Sequence, residues 1–420
     1  MAPPEELSIT GIAHGGYGIA RTSVGVVFVE DAIPGELVFA RIIRSARQSR
    51  FAAVESVISP SPHRVEPPCP RFGECGGCQW QFIDYPAQLA FKEEILRDCL
   101  RRIGGIDLHT SKGELAAPPA LAGEMFGYRY RARLSVSKRG ETGFLRRGSR
   151  DVVAFDNCVI LRDELNDAIR RIRAAQRFMA GGEIAVAGGD TVAGGDTVAC
   201  GDNGVAAAVN GDFIADPGRF IRETGLSGLD VNGKRYGNPA IGFDLFGLRY
   251  TVSARSFFQA NWRLNLKMVE AVCGLVPSGA AIADIYAGAG NFAIALAGRG
   301  HEVTAVEGDK SSFADGARNA RQIKSGNVRF IRAAASETIA RLQPVDAMIV
   351  DPPRTGIEPE AVEAVMRMRP PQLIYVSCDP ATLARDMKKL SRLYNVESVR
   401  LVDMFPQTGH IEALAEMRLR

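Results

Sequence analysis

Residues Ala283–Ala297 read ADIYAGAGNFAIALA: an apolar run ends in an acidic residue, and a Gly-x-Gly turn then opens a helix of small residues. Gly288 and Gly290 permit backbone conformations that bring the chain close to a ligand, and Asn291 is a residue type that caps a helix start. Taken alone, such a turn does no more than reverse the chain. The next stretch adds to it: Val303–Asp309, VTAVEGD, is a strand ending at Glu307, roughly 20 positions past the glycines, where an acidic side chain accepts ribose hydroxyls. A dinucleotide fingerprint would carry a third glycine near the position of Phe292, so a nicotinamide cofactor fits poorly. Two strand-end carboxylates, Asp284 and Glu307, around a two-glycine turn suit S-adenosylmethionine, whose sulfonium needs no pyrophosphate cradle.

Working outward, strand and helix alternate regularly from about Ser253 to Arg420. Strands are expected near Ala281–Ile285, Glu302–Val306, Val328–Ile331, Ala347–Val350, Leu373–Val376 and Asn395–Val402. This pattern predicts a doubly wound parallel sheet whose carboxyl-end loops converge on one cleft. In Val345–Gly356, VDAMIVDPPRTG, two prolines stop the strand and hold Asp351 at its tip. In Leu373–Asp386, LIYVSCDPATLARD, a strand delivers Cys378 to the start of a helix, where backbone N–H groups favour the reactive thiolate. A cysteine at a strand end also serves simply as packing, so its neighbours decide the reading.

Six motifs together resemble bacterial RNA uracil-5-methyltransferases, above all the iron–sulfur type that acts on 23S ribosomal RNA: FFQAN (Phe257–Asn261), DIYAGAGNF (Asp284–Phe292), VEGD (Val306–Asp309), DPPRTG (Asp351–Gly356), VSCDPATLARD (Val376–Asp386) and GHIEALA (Gly409–Ala415). The resemblance spans nearly the whole chain. It implies that Cys378 adds to C6 of uracil, because C5 alone is a poor nucleophile, and that Glu412 removes the C5 proton after methyl transfer. It also implies that Gln259, Tyr286, Asn291, Glu307 and Asp351 line the S-adenosylmethionine site. One departure stands out: in FIRAAAS (Phe330–Ser336), alanines at 333, 334 and 335 occupy positions where relatives offer an Asp or Asn to the adenine amine. Without the resemblance, Glu412 would read as an ordinary surface carboxylate. A uracil stacked in folded RNA cannot expose C5 and C6, so flipping is expected, with Phe257 and Phe258 either stacking on nucleotides or packing in the core.

Cysteine spacing forms a second constellation. Cys69, Cys75 and Cys78 cluster in PCPRFGECGGCQW, a Gly- and Pro-rich loop suited to soft-ligand metal binding, by zinc or by iron. The resemblance assigns Cys158, in FDNCVI, as the fourth ligand of a [4Fe–4S] cluster. Eight cysteines in 420 residues point away from a disulfide framework. Cys99 and Cys273 read as core residues, and Cys200 falls in the repeat VAGGDTVAGGDTVACGDN (Val186–Asn203), which carries no assigned role.

A net charge of +3 is modest for an RNA-binding protein, so distribution matters more than the total. Arg129–Arg150 carries eight basic residues against one acidic residue, with Tyr130 and Phe144 interspersed, as expected of a hairpin that neutralises phosphates and stacks bases. Leu7–Ile58 alternates β-branched and polar residues, broken at His14-Gly15-Gly16, Thr22–Gly25 and Pro34-Gly35, which predicts a five-stranded barrel; its pattern resembles the TRAM domain, an OB-like RNA-binding module. The expected organisation is thus a TRAM-like OB barrel over 1–60, a central α+β domain over 61–250 and a Rossmann-like methyltransferase domain over 251–420. No span resembles a membrane helix, the acidic start MAPPEELSIT lacks a secretory pattern, and a cytoplasmic enzyme acting on RNA is expected, with no obligate protein partner evident. The alternatives are a tRNA uracil-5-methyltransferase and a non-catalytic RNA-binding or folding factor.

Overall fold

A computed structural model describes residues 3–46, 49–107, 118–175, 178–190, 204–323 and 326–420, with backbone alone at 109–110 and 113–114. Most of the Gly-Asp repeat, together with Cys200, lies outside the described residues. Glu5–Ala13, Tyr17–Thr22, Gly25–Glu30, Leu37–Ala46 and Ser49–Ser59 close into the expected five-stranded barrel. Alternate residues Leu7 and Ile9, Val27 and Val29, and Val38 and Ala40 point into its core, which is why the period-two pattern was decisive.

The helix after the cysteine loop runs Tyr85–Cys99, capped by Asp84, whose carboxylate accepts the Ala87 N–H at 2.9 Å. The central sheet follows, in the order Val152–Val153, Thr142–Leu145, Arg131–Val136, Met179–Gly188, Val205–Phe213, Gly228–Val231, Lys234–Gly237. Helices Asp163–Ala174 and Pro217–Thr224 pack on it. The first of these ends at Ala174, and beyond it Phe178 and Met179 bury their side chains with the sheet. The hairpin Ala240–Leu245 and Leu248–Ser253 stacks Phe243 and Tyr250 on Trp262, and so shares the core of the C-terminal sheet.

That sheet has seven strands in the order Val328–Arg332, Glu302–Glu307, Ala281–Ile285, Ala347–Val350, Gln372–Ser377, Glu412–Leu419, Tyr394–Val402. The six expected strands are present, and five of them form a parallel block. The seventh, Glu412–Leu419, inserts antiparallel between Gln372–Ser377 and Tyr394–Val402, so the sheet is mixed. Its run Ala413, Leu414, Ala415 is buried on both faces, and such a run lacks the alternation that announces a strand. The order reverses between Ala281–Ile285 and Ala347–Val350, and a ligand crevice forms at such a switch point.

Candidate functional site

Asp284 sits near the end of the first strand of the crevice, fully buried. Its Oδ2 accepts the Ala293 N–H at 2.9 Å, while Oδ1 has no hydrogen-bond partner. Burial, with Asp351 and Glu307 nearby, holds this carboxyl well above the usual range. Asp284, rather than Asn291, thereby satisfies the start of helix Asn291–Gly298; the capping position itself is Gly290. Asn291 instead exchanges two side-chain hydrogen bonds with Asn265, at 2.8 and 2.9 Å, tying that helix to Trp262–Leu275.

The two glycines serve different ends. Gly290 (φ 94°) must lack a side chain, since a Cβ there would lie 2.8 Å from Ile294 and 2.9 Å from Phe330. Gly288 (φ 58°) faces open space, with nothing within 4 Å of where a Cβ would stand. Beside it, the Glu307 carboxylate accepts N–H groups from Gly288 at 2.8 Å and Asp309 at 2.6 Å. Tyr286 takes the left-handed backbone (φ 64°), a strained state for a non-glycine residue, and its hydroxyl donates to Glu358. These features fit S-adenosylmethionine: open space over a glycine turn, a ribose-level carboxylate and an orphaned buried oxygen. Ala333–Ala335 brings no polar side chain to the rim; Ala334 caps the short helix Ala335–Ile339 through its backbone alone.

At the same edge of the sheet stand Asp351, Cys378 and Glu412. Asp351 follows the Ala347–Val350 strand, and desolvation raises it to about 7. Glu412 opens the antiparallel strand and is 3% exposed; the Gln259 side chain donates to it, and its Oε2 has no partner. Burial and the Asp351 charge push Glu412 well above the carboxylate range. Cys378 is half-buried, and burial, with the charges of Glu412 and Asp351, pushes its thiol up to about 11. The expectation that the helix start favours thiolate is therefore overturned. The N–H groups of Ala381 and Thr382 are taken by Asp379 Oδ1 at 3.0 and 2.8 Å and are not offered to sulfur.

Arg354, left without a role in the sequence reading, opposes these shifts: its charge lowers both Cys378 and Glu412, and it lies 3.5 Å from His410. The Arg in DPPRTG was the available signal. Phe257 and Phe258 part company: Phe258 is core, 5.3 Å from the Phe243 ring, whereas Phe257 is 66% exposed beside the site residue Gln259.

Cys69, Cys75, Cys78 and Cys158 line one pocket with Arg129, Gln81 and Phe144. Burial raises Cys78 to about 12 and Cys158 to about 11, and the thiols raise one another. The Gly77 N–H reaches Cys75 Sγ at 3.4 Å. Among the described residues no three His, Cys, Asp or Glu groups stand close enough to hold a single metal ion. Four thiols lining one pocket are a donor set that would suit a soft metal ion or an iron–sulfur cluster.

Part of the basic hairpin is spent on the protein itself. Arg147 pairs with Asp31 of the barrel at 2.8 Å, Arg146 with Glu74 at 2.6 Å, and Arg131 donates to the Ser256 carbonyl at 2.7 Å. Tyr130 is buried and Phe144 stacks on Phe155 at 4.8 Å, so neither ring awaits a base. A different aromatic group, Tyr17, Phe28 and Phe51 with Arg44 3.9 Å over the Phe51 ring, lies half-buried on the barrel.

Residues 246–417 match the family described as tRNA (Uracil-5-)-methyltransferase, and residues 5–54 match the TRAM domain. The chain is 34% identical to the 23S rRNA (uracil(1939)-C(5))-methyltransferase RlmD of Pseudomonas entomophila, over 98% of this chain and 93% of that one. It is 32% identical to an uncharacterized RNA methyltransferase of Thermosynechococcus vestitus, over 98% and 97%. Among solved structures, the Pyrococcus abyssi tRNA (uracil-54, C5)-methyltransferase in complex with S-adenosyl-L-homocysteine superposes with a TM-score of 0.75 at 26% identity, over 98% of this chain and 100% of that one. With strand-end carboxylates, a cysteine and a buried glutamate gathered at one switch point, the chain belongs to the S-adenosylmethionine-dependent RNA uracil-5-methyltransferase family.

Proposed function

We propose that this protein methylates C5 of one uridine in 23S ribosomal RNA, with Cys378 as nucleophile and Glu412 as base. The observation that supports it most is the meeting of a half-buried thiol with two carboxylates of raised pKa, from separate strands, at the ligand crevice. The Cys378 sulfur adds to C6 of a flipped uracil, moving the ring's electron pair toward C5. Bound S-adenosylmethionine supplies the electrophilic methyl group. Glu412, ionised at that stage, then takes the C5 proton, the C5–C6 double bond re-forms and the S–C6 bond breaks, returning the thiolate.

With its thiol pushed up to about 11, Cys378 rests as the thiol at pH 7. Substrate arrival must therefore be coupled to proton loss. Asp351, held near 7, is the available acceptor, which leaves Glu412 free for the C5 proton, and the Arg354 cation favours the thiolate. Glu307 and the Gly288 turn would hold the ribose, and Gln259 would keep Glu412 oriented. Phe257, exposed at the rim, would stack on the displaced nucleotide or fill its place.

We also infer a [4Fe–4S] cluster held by Cys69, Cys75, Cys78 and Cys158. It would pin the loop to the central domain while the methyl chemistry proceeds without it. A transfer-RNA substrate is the second reading, supported by the likeness to the Pyrococcus enzyme over the whole chain. The test is mass spectrometry of unmodified 23S ribosomal RNA and transfer RNA after incubation with the protein and S-adenosylmethionine. 5-Methyluridine in the ribosomal RNA alone, lost in Cys378→Ala, is expected. Product in transfer RNA alone selects the second reading, and product in neither leaves a non-catalytic RNA-binding factor.

A further inference from the structure

The barrel does not merely neighbour the catalytic domain. Its first turn, His14-Gly15-Gly16 between strands Glu5–Ala13 and Tyr17–Thr22, reaches both segments that carry Cys378 and Glu412. His14 Nε2 stands 3.4 Å from Asp379 Oδ2, one residue past Cys378. Gly16 lies against Gly409, three residues before Glu412, so closely that a Cβ on Gly409 would be 3.2 Å from the Gly16 Cα. From the other side the Trp80 indole N–H donates to the Gly16 carbonyl at 3.3 Å, and a Cβ on Gly16 would meet that nitrogen at 2.7 Å. The turn is wedged among three segments.

Asp379 is the clamp of the cysteine loop. Its Oδ1 holds the first N–H groups of helix Pro380–Leu390, and its carbonyl accepts the hydroxyls of Ser377 at 3.0 Å and Thr382 at 3.1 Å. Oδ2 remains for His14. We propose that His14 is a positioning residue: docked by the barrel onto Asp379, it fixes the Cys378 loop, so that the barrel completes the active site besides any contact it makes with RNA. This rests on the reading of Cys378 as the nucleophile.

Magnitudes favour placement over stability. With side chains 42% and 24% exposed, the pair adds little to folding. A misplacement of about 1 Å at a reacting group, by contrast, costs about a hundredfold in rate. The full-length chain tests this with His14→Ala, His14→Gln, Asp379→Asn and the double variant His14→Ala/Asp379→Asn. Asn keeps the helix cap while removing the charge.

In His14→Ala, single-turnover methylation is expected to fall about ten- to hundredfold while KM for RNA stays within about twofold. His14→Gln, which keeps a donor, should recover most of the rate, and His14→Ala should cost nothing further in the Asp379→Asn background. A second readout needs no RNA: alkylation of Cys378 by iodoacetamide, followed by peptide mass spectrometry, should speed up severalfold in His14→Ala as the loop loosens. An unchanged rate with unchanged alkylation, a loss confined to KM, or independent losses that multiply in the double variant would each overturn the proposal. A wild-type protein that methylates no RNA would instead count against the uridine reading, and the alkylation comparison would still decide the role of His14.

Discussion

Ser377 pairs with Ala413 across the sheet, and this register sets the next residue of one strand, Cys378, beside the preceding residue of the other, Glu412. Two groups from distant parts of the sequence thus meet because two antiparallel strands end and begin at the same edge. The Glu412 charge raises the thiol, as expected of close neighbours.

The division of labour between them is separable. Cys378→Ala should reduce methyl transfer to background while RNA affinity is retained. Glu412→Gln should still form the adduct and accept the methyl group, yet fail to release it. A protein–RNA band that survives denaturing electrophoresis, present in Glu412→Gln and absent in Cys378→Ala, is the expected result; no such band would remove Glu412 from the base's role.

Asp351 should cost the ligand-free protein stability. Its folded pKa is raised from an ordinary value near 3.8 to about 7, so its neutral form is the one the fold tolerates. The stability it contributes is fully present below pH 3.8 and is lost as pH rises through about 7. Asp351→Asn should therefore raise Tm at pH 8, with the gain shrinking steadily toward pH 4, and should weaken S-adenosylmethionine binding. Thermal melts across that range, with calorimetric titration of the cofactor, check both signs.

Adjacent phenylalanines should respond in opposite ways. Phe258→Ala empties a core position and should cost about 3–5 kcal/mol of stability. Phe257→Ala, on an exposed side chain, should change stability by no more than about 0.5 kcal/mol and instead depress methylation. Denaturant unfolding and turnover of the same two variants distinguish them.

Cys158→Ser should release the metal as completely as Cys75→Ser, although Cys158 lies far along the chain from the loop. Anaerobically purified wild-type protein should contain iron and acid-labile sulfide in equal amounts. Zinc without sulfide would replace the cluster by a mononuclear site.

Much of this is legible in the sequence. The barrel, five of the parallel strands and the positions of Asp284, Glu307, Asp351 and Cys378 at strand ends follow from local periodicity and punctuation by glycine and proline. What escaped depends on which face something covers. Tyr130 and Phe144 are interspersed among arginines as in a base-stacking hairpin, but Phe243 and the core around it bury one and Phe155 takes the other. Asn291 is a residue that caps helices, yet the distant Asp284 does so in its place. His14 was read as a turn residue because its partner, Asp379, lies at the opposite end of the sequence.

The Glu412–Leu419 strand has a temporal consequence. Both of its neighbours, Gln372–Ser377 and Tyr394–Val402, are synthesised before it, and each pairs with it rather than with the other. A chain emerging from the ribosome therefore presents two unpaired strand edges near one side of this seven-stranded sheet until Glu412–Leu419 arrives. On the reading of Glu412 as the base, a nascent chain therefore gains competence for methyl transfer only once that strand is in place.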